Sequence, residues 1–242
     1  MSWHRGPLVG FDLETTGTDP LEARIVTAAV VSRKDGNPSE QREWLADPGI
    51  LIPAQASAIH GISSERAVAE GRPVPEVADE IARTLTGYWA QGIPVVAYNA
   101  AFDLTLLTAE LHRHGLPSLS DRLGGPIGPV IDPLTIDRGV DRYRKGKRTL
   151  EAACAEYGVV LDSAHQAAAD ALAAVLVAIA IAERHAHVAA LAPAELHRHQ
   201  IEWYAEWATG FQEFLRSKGN ADAAVETAWP LRAVASAVRP GA

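Results

Sequence analysis

Cysteine is nearly absent from this chain of 242 residues, which contains only Cys154. A single thiol cannot form an intramolecular disulfide, so we expect a reducing compartment, the cytoplasm. Cys154 itself is expected to be a small buried apolar residue rather than a reactive thiol. No secretory leader is recognisable, because the residues after Met1 lead directly into the first predicted strand.

Long apolar runs and an excess of positive charge are also missing. The apolar stretch at residues 171–182 is shorter than the roughly 20 residues that a membrane-spanning helix needs, so we expect a buried helix and no membrane partner. Lys and Arg number 22 against 30 Asp and Glu, which gives a net charge of −8. This balance argues against a protein that holds long duplexes through bulk electrostatics.

Two common catalytic signatures are absent. No Gly-x-Gly-x-x-Gly follows the first predicted strand, so an enzyme with a nucleotide cofactor is a distant alternative. No Ser-His or Cys-His arrangement that would indicate a covalent nucleophile can be placed. The chain instead offers four carboxylates and one histidine, at Asp12, Glu14, Asp103, His165 and Asp170.

The first two carboxylates belong to one predicted strand. Residues 8–14 form an apolar run that ends at a Thr-Thr-Gly turn, which is typical of a buried strand and the loop after it. Side chains two residues apart on a strand point to the same face, so Asp12 and Glu14 are expected to project together.

The other three residues are predicted at the beginnings of helices. Asn99 is a candidate N-cap, which places Asp103 in the first turn of a helix, where the helix dipole favours an anion. His165 and Asp170 are five residues apart and would diverge on one helix. We therefore expect His165 in the preceding loop and Asp170 within the first turns.

Carboxylates repel one another, so a fold that gathers four of them usually does so to bind divalent cations. Each residue alone has an ordinary explanation: a solvated strand end, a charge at a helix start, or a surface histidine. Their occurrence together in this order favours a metal-dependent hydrolase.

At this point the chain resembles the DEDD superfamily of 3′-5′ exonucleases, in the DEDDh branch whose last motif carries histidine. Members include the proofreading epsilon subunit of bacterial DNA polymerase III, ribonuclease T and oligoribonuclease. The resemblance covers about residues 7–185 and is carried by GFDLETTG (10–17), YNAAFD (98–103) and AHQAAAD (164–170), with HGI (60–62) and Ile131-Asp132 as further landmarks.

The resemblance implies a ribonuclease-H-like α/β fold, a mixed five-stranded sheet with helices on its faces. We expect the exonuclease domain at residues 1–190 and a C-terminal helical extension and tail at 191–242. Strands are predicted near 7–14, 24–32, 40–46, 93–98 and 129–133, and helices at about 75–88, 100–114, 149–157, 167–188 and 193–218.

The resemblance also implies the chemistry. Asp12, Glu14, Asp103 and Asp170 would coordinate two Mg²⁺ or Mn²⁺ ions, and His165 would be the general base. The expected reaction is hydrolysis of the terminal phosphodiester at single-stranded 3′ ends, releasing nucleoside 5′-monophosphates. DNA is the favoured substrate, and RNA or short oligoribonucleotides are the alternative.

Candidate substrate contacts follow from the same resemblance. Leu13, through its backbone, and Thr15 would meet the last nucleotide, and Phe102 would lie near the terminal bases. His60 is equally well explained as a structural loop residue that bonds to the backbone, and Phe102 as a residue of the hydrophobic core. Thr15 could instead stabilise the turn after the strand. Asp132 is expected to start the segment after its strand rather than to bind metal.

A basic segment at residues 138–148 surrounds Tyr143 and could contact phosphates and stack a base, although a solvated linker explains it nearly as well. The extension carries Trp203, Trp207 and Phe211 at four-residue spacing, which usually means intramolecular packing. A polymerase or repair partner could bind through this extension. The rival function is a polymerase-associated module that binds nucleic acid without turnover, and the oligomeric state stays open.

Overall fold

The computed structural model of the protein describes residues 2–34, 37–161 and 164–232. Its strands are β1 (Leu8–Thr15), β2 (Ile25–Lys34), β3 (Asn37–Asp47), β4 (Arg72–Pro73), β5 (Val95–Val96) and β6 (Val130–Ile131). A 3-10 helix (Trp3–Arg5) precedes β1. The α-helices are α1 (Ala54–His60), α2 (Ser64–Glu70), α3 (Val74–Ala90), α4 (Ala100–Arg113), α5 (Leu119–Leu123), α6 (Pro133–Val140), α7 (Leu150–Tyr157), α8 (Ala167–Arg184), α9 (Ala186–Ala190) and α10 (Pro193–Ser217).

The strands form one mixed sheet in the order β4-β3-β2-β1-β5-β6. β1, β2 and β3 are antiparallel neighbours, whereas β5 is parallel to β1 and β6 is parallel to β5. The predicted ribonuclease-H-like α/β class is confirmed, with all five predicted strands present. The sixth strand, β4, was not predicted, because its two residues are too few to show any alternation.

Helices cover both faces of the sheet. Val9, Phe11 and Leu13 point into a core shared with α3 and α4, while Leu8 packs in a second core with α8. Gly10 lies directly under α8, since a Cβ there would approach the Ala171 carbonyl oxygen to 2.3 Å. The absence of a side chain at Gly10 therefore lets α8 approach the central strand closely.

The long predicted helices are present, and the bounds of one need correction. The helix predicted over 167–188 breaks at His185, which has the extended angles φ −119° and ψ 87°, before α9 begins. The sequence marks this break with neither Gly nor Pro. The connector at residues 116–129 contains α5, which begins with a capping box at Ser118 and Asp121. Among the described residues, no helix is long and apolar enough to cross a membrane.

α10 and the residues that follow it pack on the rest of the fold. α10 lies against α6 and β6, with Tyr204 and Ala208 in the main core. Gln200 of α10 is buried where α10 meets β6. Its Oε1 accepts a hydrogen bond from the Asp132 backbone N–H, and its Nε2 donates to the Val130 carbonyl. α10 therefore covers the β6 edge of the sheet. The tail is docked as far as Arg232, and residues 233–242 lie outside the described part.

Candidate active site

The predicted acidic strand end lies where β1 extends beyond its neighbour β5. Asp12 and Glu14 alternate with the buried Leu13, so they share the face of β1 on which Gly10 meets α8. The register between β1 and β2 shifts between Glu14 and Thr15, which ends the regular ladder at this point. Both carboxylates are half-buried.

Asp103 joins the site from the first turn of α4, as the sequence predicts. Its side chain is 4% exposed, and its Oδ1 accepts a 3.1 Å hydrogen bond from the Leu13 backbone N–H. β5 ends at Val96, so this N–H has no strand partner and is satisfied by the carboxylate. This hydrogen bond holds the Asp103 carboxylate against β1 at Leu13, the residue between Asp12 and Glu14.

Asn99 stands at the N-cap position of α4, but its side chain makes no capping hydrogen bond. The cap comes from Asp132, at the end of β6, whose Oδ1 accepts from Asn99 N at 2.9 Å and whose Oδ2 accepts from Ala100 N at 3.2 Å. Asp132 also caps α6 by accepting from Leu134 N. The prediction that it starts the segment after its strand is confirmed, whereas its bond to α4 was not foreseen.

His165 and Asp170 occupy the predicted loop and first helical turn. The His165 backbone N–H donates to Asp170 Oδ2 at 3.1 Å, and His165 has a positive φ of 65°. Ligand atoms of Glu14, His165 and Asp170 lie within 4.8 Å of one another. The exposed His165 ring reaches Glu151 of α7, with 3.6 Å between Nε2 and Oε1, a contact that the sequence analysis missed.

The carboxylates raise one another's proton affinity. Burial raises the pKa of Asp12 well above its ordinary value, and the charges of Asp103 and Glu14 raise it further. Burial, followed by the charge of Asp170, raises the pKa of Glu14 to about 7. Burial also raises the pKa of Asp103, despite the hydrogen bond from Leu13. A bound cation would relieve this repulsion.

The donor set suits a hard divalent cation. Four carboxylates and one imidazole meet here, and oxygen ligands are those that Mg²⁺ and Mn²⁺ prefer. Asp170 Oδ1 is buried and has no hydrogen-bond partner within the described ranges, so it is available for coordination. The residues present therefore fit the metal that the resemblance implies.

The four predicted substrate contacts surround the same strand end. The Leu13 N–H is occupied by Asp103, and Thr15 Oγ1 donates to the Gly17 carbonyl at 2.7 Å, as expected of turn chemistry. His60 ends α1, where its Nδ1 accepts from the Ile62 backbone. Burial lowers the pKa of His60, and the adjacent Thr15 backbone partly offsets that effect. Phe102, beside Asp103, packs against the main core.

Residues 9–178 of the chain match the model of the RNase_T family, which is described as Exonuclease. The chain belongs to this exonuclease family. The identification as a DEDD-type 3′-5′ exonuclease is thereby confirmed, and the segment that carries the acidic motifs lies within the matched residues.

Curated relatives of this exonuclease include DNA polymerase III PolC-type of Streptococcus thermophilus, 32% identical over 164 residues, which are 67% of this chain and 10% of the relative. The same protein of Streptococcus agalactiae is 31% identical over 172 residues, which are 71% and 11%. The chain thus spans about a tenth of the length of the relatives it matches.

Among solved structures, Escherichia coli Exonuclease I in complex with a dT13 oligonucleotide has a TM-score of 0.61 at 20% identity, over 76% of this chain and 42% of that chain. Exonuclease I from Methylocaldum szegediense has a TM-score of 0.61 at 23% identity, over 86% and 46%. At this identity the likeness shows the fold alone.

Proposed function

We propose that this exonuclease hydrolyses the 3′-terminal phosphodiester of single-stranded DNA and releases nucleoside 5′-monophosphates. The observation that carries the proposal is the convergence of Asp12, Glu14, Asp103, Asp170 and His165 at one strand end, from three separate elements. Only a site that gathers cations and a base requires this combination, because crowded carboxylates otherwise destabilise the fold.

Asp12, Glu14, Asp103 and Asp170 are the proposed ligands of two Mg²⁺ or Mn²⁺ ions. When bound, the ions would supply positive charge that stabilises the phosphate and the departing 3′ oxygen. The unpartnered Oδ1 of Asp170 and the mutual repulsion of the carboxylates support this assignment.

His165 is the proposed general base. Its ring is on an exposed loop beside Glu14 and Asp170, so it can reach a water molecule at the scissile phosphate. A neutral imidazole nitrogen can accept a proton from water, which is the step required of the base. The Asp170 carboxylate holds the loop by accepting the His165 backbone N–H, and therefore positions ligand and base together.

The terminal nucleotide would contact the rim of this site. Thr15 and His60 lie side by side on the β1 side, and Phe102 lies next to Asp103 on the α4 side. We propose that the first two residues position the terminal sugar and phosphate and that Phe102 flanks the base. The Leu13 side chain is buried and its N–H is engaged by Asp103, so Leu13 would shape the floor of the site.

The relatives favour DNA over RNA as the substrate. The PolC-type relatives are DNA polymerases, and the Exonuclease I structure carries a dT13 oligonucleotide. Support for a polymerase partner comes from those relatives alone, since the inner face of α10 is already occupied by α6 and β6.

The test is Asp12→Ala, with Asp222→Ala on an exposed surface as the matched control. With Mg²⁺ or Mn²⁺, wild type and control should shorten 5′-labelled single-stranded DNA from its 3′ end, and Asp12→Ala should lose at least about 100-fold in rate. Parallel digestions of RNA and of short oligoribonucleotides identify the preferred substrate.

Metal binding gives a second readout that needs no turnover. Mn²⁺ at about 100 times its dissociation constant should stabilise wild type by about 2.7 kcal/mol in thermal unfolding, and Asp12→Ala by much less. Wild-type cleavage by a folded Asp12→Ala protein, or an absence of any Mn²⁺-dependent shift in the wild type, would contradict the proposal.

A further inference from the structure

A groove of about 640 Å³ lies between α10 on one side and the end of α6 with the segment that follows it on the other. The α10 wall presents Trp203, Trp207 and Phe211, and the opposite wall presents Arg138 and Arg142. We call this the α10 groove. Its residues take no part in the carboxylate site, and its combination of flat rings and guanidinium groups resembles a surface for stacking bases and binding phosphates.

The aromatic side chains of α10 form a row of nearly parallel rings. Trp207 and Phe211 are 5.4 Å apart with planes inclined by 12°, and Phe211 and Phe214 are 6.4 Å apart with planes inclined by 17°. Phe211 is 39% exposed and Phe214 is 52% exposed, so the row faces outward. Arg138 already stacks on Trp207 at 3.6 Å from the ring centroid. Phe211 lies between the other two rings and offers a nucleobase its exposed edge, whereas Phe214 ends the row, with Lys218 Nζ 5.6 Å from its ring centroid. A nucleobase that displaces the Lys218 ammonium can stack on Phe214.

The opposite wall carries cations on a fixed loop. Arg144 and Arg148 both bind the buried Asp137, so these two hold the shape of the basic segment. In the part of the chain that the structure describes, Arg142 and Lys145 have no ion-pair partner. The protein as a whole carries a net charge of −8, so this cluster is a local exception rather than part of a basic surface.

The charges also determine how a bound strand would be oriented in the groove. Glu202 and Glu206 line the α10 wall beside the aromatic rings, and these carboxylates repel phosphates. A strand in the groove would therefore place its phosphates toward Arg142 and its bases toward Phe211. A purely apolar peptide would leave the cations of the loop unmatched, which favours an anionic occupant with flat apolar groups.

The groove lies close to the candidate active site. Arg148 lines the groove, and Glu151, three residues later, contacts His165. Three residues of chain span at most about 11 Å, so the groove and the proposed base are close neighbours. Tyr98, directly before α4, also donates a 2.9 Å hydrogen bond to the Arg148 carbonyl.

We infer that the α10 groove holds the single-stranded nucleic acid upstream of the 3′ end that enters the active site. Arg142 and Lys145 bind its phosphates, and the exposed edge of Phe211 and the terminal ring of Phe214 contact its bases. The inference rests on the proposed function, which supplies the strand polarity and the position of the 3′ end.

The first test compares substrate lengths. Arg142→Gln and Phe211→Ala are each compared with Arg83→Gln, a control at an exposed ion pair on α3, near the opposite end of the sheet. On oligothymidylate of about 15 nucleotides, each groove variant should raise KM about five-fold or more, and the control should not. On a dinucleotide, which contains the scissile phosphodiester but no phosphate upstream of it, all variants should match wild type in kcat and KM.

The second test measures binding without turnover, in an Asp12→Asn background. Anisotropy of fluorescent oligothymidylate should give weaker binding for both groove variants. Arg142→Gln should reduce the slope of log Kd against log salt by about 0.7, as expected when one phosphate contact to a single strand is lost. Phe211→Ala should weaken binding while leaving that slope unchanged, because a contact between a base and an aromatic ring releases no counterions.

The outcomes separate the inference from the proposed function. Equal effects of the groove variants on long and short substrates, or unchanged oligothymidylate binding, overturn the inference. A wild type that hydrolyses neither length contradicts the proposed function, and the binding test then still decides the groove. Dimerisation or polymerase binding that Phe211→Ala abolishes, with oligothymidylate affinity unchanged, assigns the groove to a protein partner and also overturns the inference.

Discussion

Replacing Asp132 tests how far its buried carboxylate stabilises the starts of α4, which carries Asp103, and of α6. The side chain is 1% exposed and accepts four hydrogen bonds, from the backbone N–H groups of Asn99, Ala100 and Leu134 and from the Thr135 hydroxyl. Asp132→Ala leaves these donors without their acceptor at the starts of two helices.

The size of the effect follows from those bonds. Each buried donor left unsatisfied costs about 1–3 kcal/mol, and the relief of a buried carboxylate returns part of this loss. We expect Asp132→Ala to lower the free energy of unfolding by about 3–5 kcal/mol, which for a protein of this size lowers Tm by about 6–20 °C. Thr135→Val, which removes a single donor, should cost about 1 kcal/mol.

Asp132→Asn should be intermediate. The amide oxygen can still serve Asn99 and Leu134, but its NH₂ group would face the Ala100 N–H, another donor. Chemical denaturation followed by circular dichroism measures all three variants. If Asp132→Ala is no less stable than Thr135→Val, the proposed role of the carboxylate as a double cap is wrong.

Two further predictions concern the packing and the charges around the site. Gly10→Ala should strongly destabilise the protein and reduce metal binding, because its Cβ would meet the Ala171 carbonyl of α8. Gly87→Ala on α3, where a Cβ has open space, should stabilise by about 0.5–1 kcal/mol; equal Tm changes for the two variants would refute this. Burial raises the pKa of Asp137, but bonds from Arg144, Tyr157 and Arg148 hold it below its ordinary value. A lowered pKa stabilises the fold above the unfolded value near 3.9, and this contribution is lost as pH falls through the folded pKa. The stability difference between wild type and Asp137→Asn should therefore shrink in acid, and a difference that grows below about pH 4 would contradict the assignment.

Local patterns were sufficient to predict the elements that present the site. The two-residue period of β1 predicted that Asp12 and Glu14 share a face, and the five-residue separation of His165 and Asp170 predicted a loop followed by a helix. These relations depend on neighbours along the chain, so backbone geometry alone decides them. The order of the motifs then predicted the fold through the resemblance.

Contacts between distant segments could not be predicted in this way. The hydrogen bond by which Asp132 caps α4 joins residues that are 33 positions apart. The hydrogen bond from the Ser2 hydroxyl to the Ala189 carbonyl joins residues that are 187 positions apart. The short helix α6 lacks the length at which an apolar period becomes recognisable. Its buried Asp137, which anchors two arginines of the basic segment, was therefore not distinguished from a solvated acid.

The C-terminal extension and the candidate site are joined by a chain of hydrogen bonds. Gln200 of α10 accepts from the Asp132 backbone, the Asp132 carboxylate holds the first residues of α4, and α4 presents Asp103 to the Leu13 N–H. Each link is buried or partly buried, so a shift at one end leaves a polar group unsatisfied at the next. α10 therefore supports the geometry of the carboxylate site on its inner side while it lines the groove with its outer side. A helix that merely covered a sheet edge would require neither the Gln200 bonds nor the exposed aromatic row.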